Sequence, residues 1–167
     1  WTRHLFWSKP GDGWFVVIDH ARFTAAGRHS LTCTWRTPAW AGSEGRRWFS
    51  RQGTHRFDLV AGENIPTTTE EETNQGASRP FVLRQRRQGH HAAGDETSFL
   101  NLFFVRPQSA PESLDLLRAD TRSAVVRRDG QTIAWCGAAL TADSQWLPDA
   151  VATAASALLT ADTLVLA

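Results

Sequence analysis

The stretch Trp14-Phe15-Val16-Val17-Ile18-Asp19-His20-Ala21-Arg22-Phe23 decides the fold. It is apolar at both parities, with Trp14, Val16 and Ile18 on one and Phe15, Val17, Ala21 and Phe23 on the other. Successive side chains of a strand point to opposite faces, so such a run predicts a central strand covered on both sides. Residues 97–106, with Phe99, Leu100, Leu102, Phe103, Phe104 and Val105, read the same way. In 29–37, by contrast, Leu31, Cys33 and Trp35 alternate with Ser30, Thr32, Thr34 and Arg36. That is a half-buried strand with one wet face. Further strands are expected over 3–8, 46–51, 54–60, 80–87, 113–118, 122–128 and 131–140. Gly11-Asp12-Gly13 joins the first two, and Asp129-Gly130 is a strong hairpin signal. The expectation is an all-β fold, an antiparallel β-sandwich of two sheets and about 10–12 strands, filling a single domain over 1–167.

Two stretches resist this scheme. Residues 62–78 are polar and acidic (Glu63, Glu70, Glu71, Glu72), and a long exposed excursion is expected there. Residues 149–159 are Ala-rich, which favours helix by propensity, whereas consistency with the rest of the fold favours a strand paired with 162–166. The strand reading is preferred.

Composition narrows the function. A length of 167 residues with 41% hydrophobic and 21% charged side chains suits one domain with a filled core. The net charge of +1 lacks the basic field expected of a nucleic-acid binder. No apolar run approaches the roughly 20 residues of a membrane span. Seventeen of the eighteen cationic residues are Arg, suited to two-pronged binding of carboxylates and sulfates, although a GC-rich genome produces the same bias. The chain contains no Met, so a processed product or a fragment of a larger protein is expected. It also contains no Tyr, which removes the phenol as a catalytic acid or base. Cys33 and Cys136 fit no metal-site spacing and are expected as buried thiols, with a disulfide open to them in an oxidising compartment.

Asp19 is the most informative polar residue. A carboxylate in the middle of a doubly apolar strand is expensive unless paired, hydrogen-bonded or bound to metal. Two solutions are open. His4 beside Phe6, and His55 on the face of Phe57 and Leu59, could join Asp19 around Zn²⁺. Alternatively Asp19 pairs with an arginine such as Arg3 or Arg36. Eight tryptophans are many for this length, and indoles stack on sugar rings as readily as they fill cores. Trp7, Trp14, Trp35 and Trp135 lie in strands and are expected in the core. Trp40, Trp48 and Trp146 lie in or beside polar segments and are the candidate platforms. Arg84 and Arg86 share one face of a strand, with Arg87 on the other, and could bind an anionic sugar. His90-His91 is expected at a solvated hairpin tip. No nucleophile elbow, phosphate loop, dinucleotide fingerprint or HExxH motif occurs.

The opening segment carries a family resemblance. Arg3-His4-Leu5-Phe6-Trp7-Ser8-Lys9, Gly13 to Asp19 and Cys33-Thr34-Trp35-Arg36 together resemble the β-sheet domain of heparinase II/III-like polysaccharide lyases. Phe81 to Gln85 and Phe99 to Phe103 are compatible with it. The resemblance implies a periplasmic or secreted β-sandwich that follows an (α/α) toroid. The parent enzyme would cleave acidic, uronate-containing polysaccharide by β-elimination, with most catalytic groups on the toroid. The isolated chain is then expected to be inactive. Carried onto this sequence, a structural Zn²⁺ of some members falls on Asp19, with His4 and His55 as the nearest matches. A carbohydrate-binding module using exposed Trp residues is the alternative.

Overall fold

A computed structural model describes residues 1–8, 13–71, 80–111, 114–138, 145–147, 150–151, 156–160 and 164–166. Their strands, in chain order, are β1 (Thr2–Trp7), β2 (Trp14–Arg22), β3 (Gly27–Thr37), β4 (Ala41–Glu44), β5 (Arg47–Gln52) and β6 (His55–Ala61). There follow β7 (Thr67–Glu71), β8 (Phe81–His91), β9 (Glu96–Pro107), β10 (Leu114–Arg118) and β11 (Ser123–Arg128). The last are β12 (Gln131–Ala138), β13 (Gln145–Leu147), β14 (Ala150–Val151), β15 (Ser156–Thr160) and β16 (Leu164–Leu166). Every pairing is antiparallel. No helix among the described residues is long and apolar enough to cross a membrane.

The strands form a six-stranded sheet in the order β1-β2-β9-β6-β5-β4, a five-stranded sheet β10-β11-β12-β15-β16, a three-stranded sheet β3-β8-β7 and the ribbon β13-β14. The doubly apolar runs β2 and β9 pair with each other near the middle of the six-stranded sheet. One face of that sheet buries Val16, Ile18, Val60, Leu100 and Leu102 with Leu116, Ala124, Val126 and Cys136 of the five-stranded sheet. The other face buries Val17, Leu59, Trp48 and Phe103 with Leu83 of the three-stranded sheet. The packing is sandwich-like, with three sheets where two were expected.

Specific polar contacts hold the layers in place. The Arg46 guanidinium donates to the carbonyls of Ala61 (2.6 Å) and Leu116 (2.7 Å) and pairs with Asp115 (3.0 Å), tying the six-stranded sheet to the five-stranded one. On the opposite side, buried Gln85 of β8 and Asn101 of β9 exchange two amide hydrogen bonds of 2.7 and 3.0 Å.

Turn chemistry behaves as its residues dictate. Asp129 and Gly130 both take positive φ, 50° and 83°, the signature of the two-residue turn between β11 and β12. The excursion over 62–78 is corrected in part: Thr67-Thr68-Thr69-Glu70-Glu71 is a strand, the wet edge of the three-stranded sheet. Threonine's branched Cβ suits a pleated surface even where both faces are polar. Within 149–159 the described backbone is strand at Ala150–Val151 and Ser156–Thr160, and β15 pairs with Leu164–Leu166. The Gly11-Asp12 part of the first turn lies outside the described residues, but β1 and β2 do form an antiparallel pair.

Candidate functional site: an aromatic pocket beyond the small sheet

Asp19 is fully buried on the face shared with Val17 and Phe15. Its partner is arginine. Arg3 lies directly across the β1–β2 pair, and its Nε and one terminal nitrogen donate to the two carboxylate oxygens at 2.7 and 2.8 Å. This is the two-pronged geometry that a buried carboxylate favours. The same guanidinium sits 5.0 Å from the ring centre of Trp35, and its pKa is raised, chiefly by the Asp19 hydrogen bond. The Cys33 thiol donates to Asp19 at 3.5 Å and is pushed up to about 12, by burial first and by the carboxylate second. Cys33 is therefore an inert donor at neutral pH. Cys136 belongs to the core on the opposite face of the central sheet, and both cysteines are free thiols.

His4, Asp19 and His55 are not brought together. His4 is opposite Ile18 in the β1–β2 register and shares the face of Phe6, whereas Asp19 points through the other face. His55 is exposed at the start of β6, where it pairs with Pro107. Asp19 pairs with Phe99, so eight residues of β9 separate the two positions, roughly 27 Å at the rise of an extended strand. Among the described residues no group of three or more His, Cys, Asp or Glu could hold a metal ion. His4 instead lies near His20, and burial, with His20 second, lowers its pKa. His20 faces Glu96 at 3.2 Å, and hydrogen bonds from Arg122 hold the Glu96 carboxyl below its usual range.

The tryptophans are distributed differently from expectation. Trp48 is buried, 2% exposed, because it faces Leu59 and the small sheet rather than the polar segment beside it. Trp7 is 55% exposed instead of lying in the core, since β1 is an edge strand and this end of it extends past the cover. Trp40 is 52% exposed, as expected of a platform, and the Arg51 guanidinium lies over its ring at 5.4 Å. The side chain of Trp146 lies outside the described residues. Arg84 and Arg86 do share the outer face of β8: Arg84 pairs with Glu70, and Arg86 donates to Ser30 at 3.2 Å. Arg87 turns inward to the Ser98 carbonyl (2.9 Å) and to Glu63. His91 is not a solvated tip residue, for its ring stacks 4.0 Å from Phe23.

What the topology does assemble is a pocket. The three-stranded sheet is narrower than the sheet it covers, and beyond the end of β3 it leaves part of that aromatic face open. A cavity of about 880 Å³ results, lined by Phe15, Trp35, Trp48, Phe57, Phe103 and Val105, with Arg36, Ser50, Gln52 and His55 as its principal polar groups. Phe15 and Phe103 stack at 4.6 Å, and Trp35 meets Phe103 edge-on at 4.7 Å, so the wall is rigid. The indole N–H groups of Trp35 and Trp48 are buried without an acceptor. Mostly apolar walls with a few polar groups, at this volume, are the ordinary form of a small-molecule site. Each aromatic lining residue lies in a strand; Phe15, Trp35 and Phe103 read from sequence as core, and Trp48 as a candidate platform.

Comparison with family models, with curated proteins and with solved structures found no match for the chain.

Proposed function

We propose that this domain binds acidic, uronate-containing polysaccharide, taking a sugar ring into the aromatic pocket and its carboxylate toward Arg36 and His55. The pocket carries the reading: aromatic walls suit the apolar faces of sugar rings, and the exposed Arg36 supplies a cation at the lining. Membership of a heparinase II/III-like lyase, with an (α/α) toroid supplying the eliminative chemistry, belongs to the same proposal and rests on the motifs of β1 to β3. On that reading the isolated domain binds and does not cleave. A stand-alone binding module is the second reading, favoured by exposed Trp7 and Trp40.

Calorimetry with uronic-acid oligomers tests the proposal. Wild-type protein is expected to bind, and Arg36→Glu, an exposed position, to weaken binding about tenfold while leaving the fold intact by circular dichroism. Absence of binding to any uronate or neutral oligomer ends the reading. Appearance of the unsaturated product's ultraviolet absorbance with the isolated chain would overturn its restriction to binding.

A further inference from the structure

We propose that the outer edge of β1 pairs with the same edge of a second copy of this chain, joining two six-stranded sheets into one. β1 ends the order β1-β2-β9-β6-β5-β4, and no described strand pairs with its outer side. Which main-chain groups face that side follows from the hydrogen-bond phase. The Ser8 amide donates to the Trp14 carbonyl (3.1 Å), one step beyond the Trp7–Phe15 pair of the β1–β2 register. Bonded and non-bonded pairs alternate along an antiparallel ladder. Thr2, His4 and Phe6 therefore share the phase of Ser8 and bond to β2, whereas Arg3, Leu5 and Trp7 turn their N–H and C=O groups outward. The bond from the Gly62 amide to the Leu100 carbonyl (2.9 Å) gives the same phase when carried from β9 through β2.

Sheet edges that stay unpaired usually carry a guarding charge, a proline, a bulge or a very short strand. The edge strand β7 has Glu70 and Glu71, and β4 has four residues with a glycine among them. β1 has six residues in unbroken register and no proline, and its one arginine is drawn back onto Asp19. Leu5 and Trp7, on the face of Arg3, are 60% and 55% exposed. The occupant is a second copy because this edge complements itself. An antiparallel pair about a two-fold axis through Leu5, perpendicular to the sheet, keeps both pocket faces on one side. Leu5 then opposes Leu5 of the second copy, and each Arg3 opposes the other copy's Trp7. Each of these pairs exchanges two main-chain hydrogen bonds. A guanidinium against an indole is favourable, and symmetry repeats the contact. An axis at Arg3 would instead oppose two guanidiniums, and an axis at His4 would set Arg3 against leucine. The surface is independent of the sugar reading, since Arg3, Leu5 and Trp7 do not line the pocket.

Sedimentation velocity across a wide concentration range, with hydrogen exchange at its two ends, tests the pairing. Wild type is expected to dimerise reversibly, and the amides of Arg3, Leu5 and Trp7 to gain protection as concentration rises. Leu5→Pro removes an outward amide and no bond to β2, so it should be monomeric with the β1–β2 pair intact. Trp7→Arg should weaken the dimer about tenfold more than Trp7→Glu, because the first opposes Arg3 with like charge and the second with opposite charge. Wild type that is monomeric at every concentration overturns the inference. A dimer that Leu5→Pro leaves intact also overturns it, as does one that the two Trp7 variants weaken equally. If Leu5→Pro does not fold, the Trp7 variants decide, since that side chain is more than half exposed.

Discussion

The two faces of the six-stranded sheet are made from the same strands and end in different chemistry. One meets a five-stranded partner and is mainly aliphatic at its centre, with Val16, Ile18, Val60, Leu100 and Leu102. Phe6, Trp14 and Phe104 and the buried Asp58, paired with Arg56 and Arg106, lie on the same face. The other meets only three strands and is aromatic, with Phe15, Phe57, Phe103, Trp35 and Trp48, the buried Asp19 carboxylate held by half-exposed Arg3, and a buried amide pair. Branched aliphatic chains fill a fully covered space, whereas incomplete cover leaves flat rings lining a cavity. On the proposed function, the first face serves stability and the second binding.

The largest effect that would break this division is expected from the aliphatic face. Leu102→Ala should cost about 4 kcal/mol in urea unfolding, since Leu102 is fully buried and its loss leaves a cavity. Phe57→Ala, at the half-buried pocket wall, should cost less than half of that and abolish oligomer binding. Equal costs at the two sites would remove the distinction. Next in size, Arg3→Ala should destabilise by about 2–3 kcal/mol, because it leaves Asp19 buried and unpaired. The figure lies below the full penalty because the Arg3 side chain is half in water. Arg3→Lys should recover only part of it, lacking the fork. A loss under about 0.5 kcal/mol would place the arginine among ordinary surface pairs.

The smallest effect concerns pH and belongs to the margin of the aliphatic face, where His4, His20, Glu96 and Arg122 gather. His4 binds its proton more weakly in the folded protein than its ordinary value of 6.5. The unfolded chain therefore takes up protons first, and stability falls as pH drops below that value. Glu96 is likewise lowered, from 4.5, so a second loss begins below that pH. Urea midpoints measured from pH 8 to 3 should decline in these two steps, and His4→Asn should flatten the first. A midpoint that rises on acidification would contradict the lowered proton affinity of half-buried His4.

The strands of both faces were legible because hydrophobic parity is a local property. Residues 14–23 and 97–106 read as doubly covered, and they became the paired strands β2 and β9. The pairing of Asp19 was legible only as a choice. Whether His4 or Arg3 faces it depends on a hairpin register in which a slip of one residue exchanges the two. The turn between Trp7 and Trp14 decides it, and parity alone says nothing of that turn. Strand β7 was hidden because Thr67 to Glu71 carry no apolar face. The pocket was hidden for another reason: Trp35, Phe57 and Phe103 have the same pattern whether they bury one another or line a void. How far the small sheet extends over them is set by strand order, which no single segment contains.

The reciprocal amides of Gln85 and Asn101 have a consequence for the shape of the opening. Each supplies one donor and one acceptor to the other, so the upper layer has a single seat on the layer below. Sliding it along β9 by one pleat would set Gln85 against Phe99 or Phe103, with both amides stranded in a dry interior. The ledge formed by Trp35 to Ala39 therefore stops at a fixed distance from Phe57 and Val105. A polar latch of two side chains thus sets the aperture of a cavity whose own walls are mostly hydrocarbon.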